Sequence, residues 1–188
     1  LFAGAQELAG DDPVTARRLR NYRAMHLLNQ GQAPQALAEL DRPMPPIGGS
    51  AAVGELVIDR PTAGRLSAES PGASRLRGPE GLTPADKAQI LDGQALHLRG
   101  VVLHLQSRNA EAMAPLNRAL TELIAIRGGR IAATIWLRAQ VHGELAELAE
   151  ARGDQTEAEN QHRTAIALLE TNYPGSAALY SAKAGLAG

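Results

Sequence analysis

The chain has 188 residues, 44% of them apolar but only 3% aromatic, and no cysteine. That is enough for one ordinary core of small and aliphatic side chains, and it excludes a disulfide framework or a thiolate metal site. With 19 basic and 20 acidic residues the formal net charge is -1, so the broad attraction that nucleic-acid and anionic-membrane binders depend on is missing.

In chain order, Asp12-Pro13 opens a helix, a capping residue followed by the residue best tolerated at the first helical position. Its apolar residues Ala16, Leu19, Ala24, Leu27 and Leu28 run to a stop at Gly31. A second helix starts near Ala33-Pro34, carries Ala36, Leu37 and Leu40, and ends before Pro43, because proline cannot continue the ladder. Residues 1–42 thus form a first αα-hairpin.

Residues 43–82 have a different texture, rich in Pro, Gly, Ser and Ala, with Leu56, Val57 and Ile58 as their compact apolar run. They read as one long insertion, whose composition fits a disordered loop and whose length also suits a lid or clasp.

Thr83-Pro84-Ala85-Asp86 resembles a capping box, predicting a long helix from about residue 84 to Gln106. Asn109 is expected to cap the next helix, which carries Leu116, Leu120, Leu123 and Ile124 to a glycine stop at Gly128-Gly129. That makes residues 83–128 a second hairpin. A third, 129–174, pairs a helix running from about 130 to Ala151 with one capped by Asp154 and Glu157 and ending before Pro174. Ser176 opens a last helix in 175–188, whose Ala177, Leu179, Ala182 and Leu186 form an apolar face needing cover. It either caps the third hairpin or meets a second copy of the chain, a route to a homo-oligomer.

No apolar stretch approaches a membrane span, since the longest are Val101 to Leu105 and Ala132 to Leu137. The chain begins at Leu1 with neither an initiator methionine nor a signal-peptide pattern and reads as an excised fragment, which leaves localisation open.

The three hairpin turns share a pattern: Gly31 to Ala36, Ser107 to Ala112 and Gly153 to Ala158 each place a small residue, four others, then alanine. Small residues Ala24, Gly100 and Ala146 stand upstream, with Ala119 and Ala165 downstream of the later two. This pattern resembles the tetratricopeptide repeat, whose small turn residue ends the first helix and whose alanine lets the second pack closely. At the family's early aromatic position stand Arg20, Leu96 and His142. The anchoring alanines lie farther apart than the family period of roughly 34 residues, so longer helices and the insertion must absorb the excess. The cadence from Glu157-Ala158-Glu159 to Asn172-Tyr173-Pro174 is similar to that of arrays preceding caspase-like CHAT peptidase domains in bacterial proteins.

What the resemblance implies is an all-α fold, a single domain of stacked αα-hairpins in a right-handed superhelix with one long insertion, and no catalysis. The expected function is a protein- or peptide-binding scaffold within a larger bacterial-type protein. The alternative is a small-ligand sensor regulating an attached effector such as a CHAT peptidase, which this cysteine-free chain cannot itself be. In the family the first helix of each hairpin lines a concave face. Counting from the turns, that face would carry Arg18, Asn21, Met25, Gln94, His97, Val101, His104, Gln140, Glu147 and Glu150. Gln94 and Gln140, at equivalent places, suit the hydrogen-bonding needs of an extended peptide.

Chemical motifs are sparse. Glu159 and His162 have the Glu-x-x-His spacing of di-iron bundles, but in one copy, and read as a solvated helix face. His97 and His104 are two turns apart, too far for the i, i+4 pair of zinc helices. His142-Gly143-Glu144 lacks the second histidine of a metalloprotease motif, and Gly48-Gly49-Ser50 lacks the Lys-Ser/Thr of a P-loop. No metal, cofactor or catalytic residue is therefore assigned.

Overall fold

A computed structural model of the chain describes residues 12–47 and 81–187. Among the described residues the protein is all-helical, with no strand. In chain order come α1 (Pro13–Asn29), α2 (Ala33–Leu40), α3 (Pro84–Leu105), α4 (Asn109–Ala125), a short 3-10 turn (Arg127–Gly129), α5 (Ala132–Ala151), α6 (Gln155–Asn172) and α7 (Ala177–Ala187). Most of the expected insertion, including Gly48, Gly49, Ser50 and the run Leu56, Val57 and Ile58, lies outside the described residues.

Local chemistry sets the helix starts. The Asp12 carboxylate accepts from the amides of Val14 and Thr15 ahead of Pro13. Thr83 and Asp86 form a reciprocal capping box, each side chain accepting the other's amide at 3.0 Å, and Asp154 accepts from the amide of Glu157. These contacts satisfy donors that a helix start leaves unpaired. Asn109 departs from expectation: it lies inside α4, Arg108 holds the cap position without a side-chain bond, and the Asn109 Oδ1 is buried without a partner. The Arg108–Glu111 ion pair spans that first turn instead.

The three inter-helix corners are built alike. Gly31, Ser107 and Gly153 take left-handed φ values of 72°, 60° and 76°. Each donates its amide three residues back, to Leu28, His104 and Glu150, and the following residue donates five residues back, to Leu27, Leu103 and Ala149. This is a Schellman-type ending, which satisfies carbonyls the helix would otherwise leave open. The flanking residues agree as well: Gln30, Gln106 and Arg152 have φ near -90° and ψ near zero (4°, 7° and -5°).

Close packing follows from the small residues at the corners. Ala24, Ala36, Ala112, Ala119 and Ala146 are fully buried, and Ala158 and Ala165 nearly so. A Cβ added to Gly100 would lie 2.5 Å from Leu116 Cγ, so α3 and α4 approach more closely there than any side chain on residue 100 permits. The partners α1/α2, α3/α4 and α5/α6 pack as hairpins, and the first helices touch in succession, α1 on α3 and α3 on α5.

Two kinds of junction join the hairpins. Between the second and third, Leu103, Leu116, Val141, Leu145 and Leu148 form one apolar cluster, each leucine contributing about 2 kcal/mol through burial. Between the first and second, an apolar cluster of Ala24, Leu98 and Val102 gives way to polar contacts. The buried Arg17 and Arg20 share the Asp92 carboxylate at 2.8 and 3.1 Å, and Arg17 also donates to the carbonyls of Pro13 and Pro45. At the C-terminal end, Leu179 of α7 enters a cluster with Ala139, Ala165 and Leu169, so α7 covers the third hairpin. Gly185 sits directly over His162: a Cβ there would lie 2.5 Å from the ring.

Candidate functional site

Because α3 and α5 lie side by side, a helical stripe on each faces the same hollow. On α3 the stripe runs through Ile90, Gln94, His97 and Leu98, and on α5 through Ala133, Trp136, Leu137, Gln140, Glu144 and Glu147, a spacing of three and four residues that keeps one face. Two concavities open along this seam, sharing His97 and Gln140 as their common wall. Adjoining along the seam, they form the two chemically distinct ends of one candidate groove.

The first end, about 670 Å³, is apolar, with Met25, Leu82, Ile90, Leu98, Ile131, Trp136 and Tyr173 in its walls and Gln94 as a polar group. Trp136 and Tyr173 meet edge to face, centroids 5.2 Å apart at 74°, and the Tyr173 hydroxyl donates to the carbonyl of Ala132 at 2.6 Å. These contacts hold the aromatic pair in place. Burial raises the Tyr173 hydroxyl above its ordinary pKa, so it stays a donor.

The second end, about 510 Å³, is acidic. Glu144, Glu147 and Glu150 project from α5, His162 and Leu169 come from α6, and Ser181 and Gly185 of α7 close the far side. His162 Nε2 lies 3.1 Å from Glu150 Oε1. His104 Nδ1 lies 3.5 Å from Glu144 and 3.9 Å from Glu147. Burial, then the charge of Glu147, raises the Glu144 carboxyl above the usual carboxylate range against the pull of His104. The ligand atoms of His104, Glu144 and Glu147 all fall within 4.8 Å of one another, the one group among the described residues with the donors and spacing to hold a metal ion.

His97 is buried, and desolvation lowers its pKa to about 4, so its imidazole is neutral at neutral pH. Among the described residues its Nε2 has no hydrogen-bond partner, and neither has Nδ1 of His162. His142, at the expected aromatic position, instead meets Gln161 Oε1 at 2.6 Å, with burial depressing its pKa.

Of the residues expected on the concave face, Met25, Gln94, His97, Gln140, Glu147 and Glu150 line the groove, and His104 reaches its acidic end through Glu144 and Glu147. Arg18 is exposed on α1, and neither it nor the half-buried Val101 lines either concavity. Asn21 departs from expectation. It is 2% exposed and donates Nδ2 to the Leu91 carbonyl and to Gln94 Oε1, because α1 lies tightly against α3 at that level and takes the side chain into the junction. His162 also departs from the solvated face expected of it, being buried under α7, while Glu159 turns away to pair with Arg163. Glu144, Trp136 and Tyr173 are not among the residues expected on the concave face, although Glu144 and Tyr173 figure in other motifs of the sequence. For Trp136 and Glu144 the signal is the extension of the Gln140 stripe by four residues in each direction along α5, whereas Tyr173, just beyond α6, is brought to the groove by packing on Trp136.

No protein-family model, curated protein or solved structure matches this chain.

Proposed function

We propose that the chain is a non-catalytic, protein- or peptide-binding scaffold of the tetratricopeptide-like kind, its hairpins stacked as a right-handed superhelix around a concave binding face. The observation that carries this reading is the groove along α3 and α5, which combines an aromatic-walled apolar end with amide side chains at corresponding places, Gln94 and Gln140. Such amides suit the backbone of an extended peptide, and repeat stacks commonly bind along the concave side. The like-built corners and the contact of α1 with α3 and α3 with α5 support the stacked-hairpin part of the proposal.

Capture experiments with the intact chain and a Gln94→Ala/His97→Ala/Gln140→Ala variant of equal helicity test it. A protein partner retained by the former and lost by the latter is the expected result; a partner indifferent to all three changes sinks the groove as the binding surface. One observation favours a second reading, a small-ligand sensor for an attached effector: the orphaned His97 nitrogen at the wall shared by both ends of the groove. A small molecule that raises the melting temperature with no protein partner captured would select that reading.

A further inference from the structure

The acidic end of the groove gathers carboxylates whose close partners among the described residues are imidazoles rather than lysine or arginine. Glu144, Glu147 and Glu150 follow one another at three-residue steps along α5, and among the described residues no lysine or arginine lines this concavity. Their ion-pair partners are imidazoles: His104 for Glu144 and Glu147, His162 for Glu150. Glu144 is largely shielded while Glu147 and Glu150 reach solvent, and a row of carboxylates of this kind is stabilised by a cation brought to it.

The neighbouring polar groups are also incomplete. Nε2 of His97 and Nδ1 of His162 have no partner among the described residues, although both residues are more than nine-tenths buried and both line this concavity. Buried polar atoms are rarely left unpaired, and these two belong to residues in the walls of one hollow.

The acidic end adjoins the Trp136–Tyr173 end, with His97 and Gln140 lining both. An occupant of both ends therefore carries a positive charge and a bulky apolar group a short distance apart. We infer that the groove binds a peptide segment in which a lysine or arginine side chain enters the Glu144–Glu147–Glu150 end while a bulky apolar side chain of the same segment fills the Trp136–Tyr173 end. The inference rests on the peptide-binding reading above and adds the partner's chemistry to it. The same charges repel acidic segments, so the groove discriminates by repulsion as well as by attraction.

The test is selection of random twelve-residue peptides from a display library on the full chain, in chelator-containing buffer, followed by fluorescence anisotropy on the synthetic winners. The expected winners carry a basic residue at a constant spacing from a bulky apolar one. Replacing that basic residue by glutamine, or using the Glu144→Gln/Glu147→Gln variant, weakens binding by at least about tenfold. The two losses do not add, because they remove the same interaction. Glu150→Gln is the second variant should the double one lose helicity. Winners without a basic residue, bound equally by wild type and variant, overturn the inference and leave the scaffold reading standing. No enriched peptide at all overturns both, and spermidine held at this end with no peptide enriched assigns the charge to a free amine and overturns the inference.

Discussion

The junction between the first and second hairpins adds a buried polar network to its apolar contacts, whereas that between the second and third is built mainly on an apolar cluster. At the first, Arg17 and Arg20 converge on Asp92 while Asn21 bonds to Leu91 and Gln94, and Arg99 of α3 pairs with Asp41 just beyond α2. At the second, Leu103, Leu116, Val141, Leu145 and Leu148 meet with no polar atom among their side chains. Apolar contact is non-directional and supplies most of the stabilisation. Bonds that fail when misaligned fix which residues face each other, at a desolvation cost. The second junction thus holds the stack together, and the first sets how α1 lies along α3.

The contrast is breakable by mutation. Leu116→Ala, at a position with no exposure and within the apolar junction, should cost about 4 kcal/mol in chemical denaturation; a loss below about 1 kcal/mol would mean that this cluster is not the main core. Acid gives the next effect. The folded-state pKa of His97, about 4, lies below its ordinary 6.5, so the unfolded chain takes up the proton first. Stability is therefore full above about pH 6.5 and falls as the pH drops toward 4, by about 3 kcal/mol. Thermal melts across that window should show the fall in wild type and a flatter profile in His97→Leu; equal slopes would show that other groups dominate the acid response. Asp92→Ala should cost about 2 kcal/mol. It strands two buried guanidinium groups, but the carboxylate they lose is itself about a third exposed, at 31%, which screens the interaction. Hydrogen exchange should then rise in α1 and α2 and stay unchanged in α5 and α6; a uniform rise would argue against separate roles for the two junctions.

The parts of the fold legible in the sequence were those written in local chemistry. Asp12-Pro13, the Thr83/Asp86 box, Gly31 and Gly153 act within a few residues of themselves, and helices begin or end at each of them, whereas α4 stops at Ala125 and only a short 3-10 turn ends at Gly129. Asn109 misled because the left-handed Ser107 returns the chain to helical geometry one residue sooner than a capping asparagine would allow. The polar junction was not legible: Asp92 is far along the chain from Arg17 and Arg20, and nothing in the local pattern of any of the three announces the pairing. Counting from the turns found most of the groove, since a helix face repeats predictably from a fixed origin. It misplaced Asn21, whose surroundings depend on how closely α1 approaches α3, and it missed the burial of His162, which only the position of α7 reveals.

The likeness of the three corners has a consequence for how such a chain could be rearranged. A joint with the same dihedral angles and the same two hydrogen bonds delivers the chain into its next helix with the same direction and phase, whichever residues compose it. The corners are thus interchangeable parts. Grafting Arg152-Gly153-Asp154 in place of Gln106-Ser107-Arg108 would put a glycine in the left-handed slot and an aspartate ahead of the next helix without changing the trajectory. A chain assembled from such joints tolerates exchange of its corners far more readily than exchange of the helix faces between them, where Gly100 meets Leu116 and Gly185 meets His162 with no room to spare.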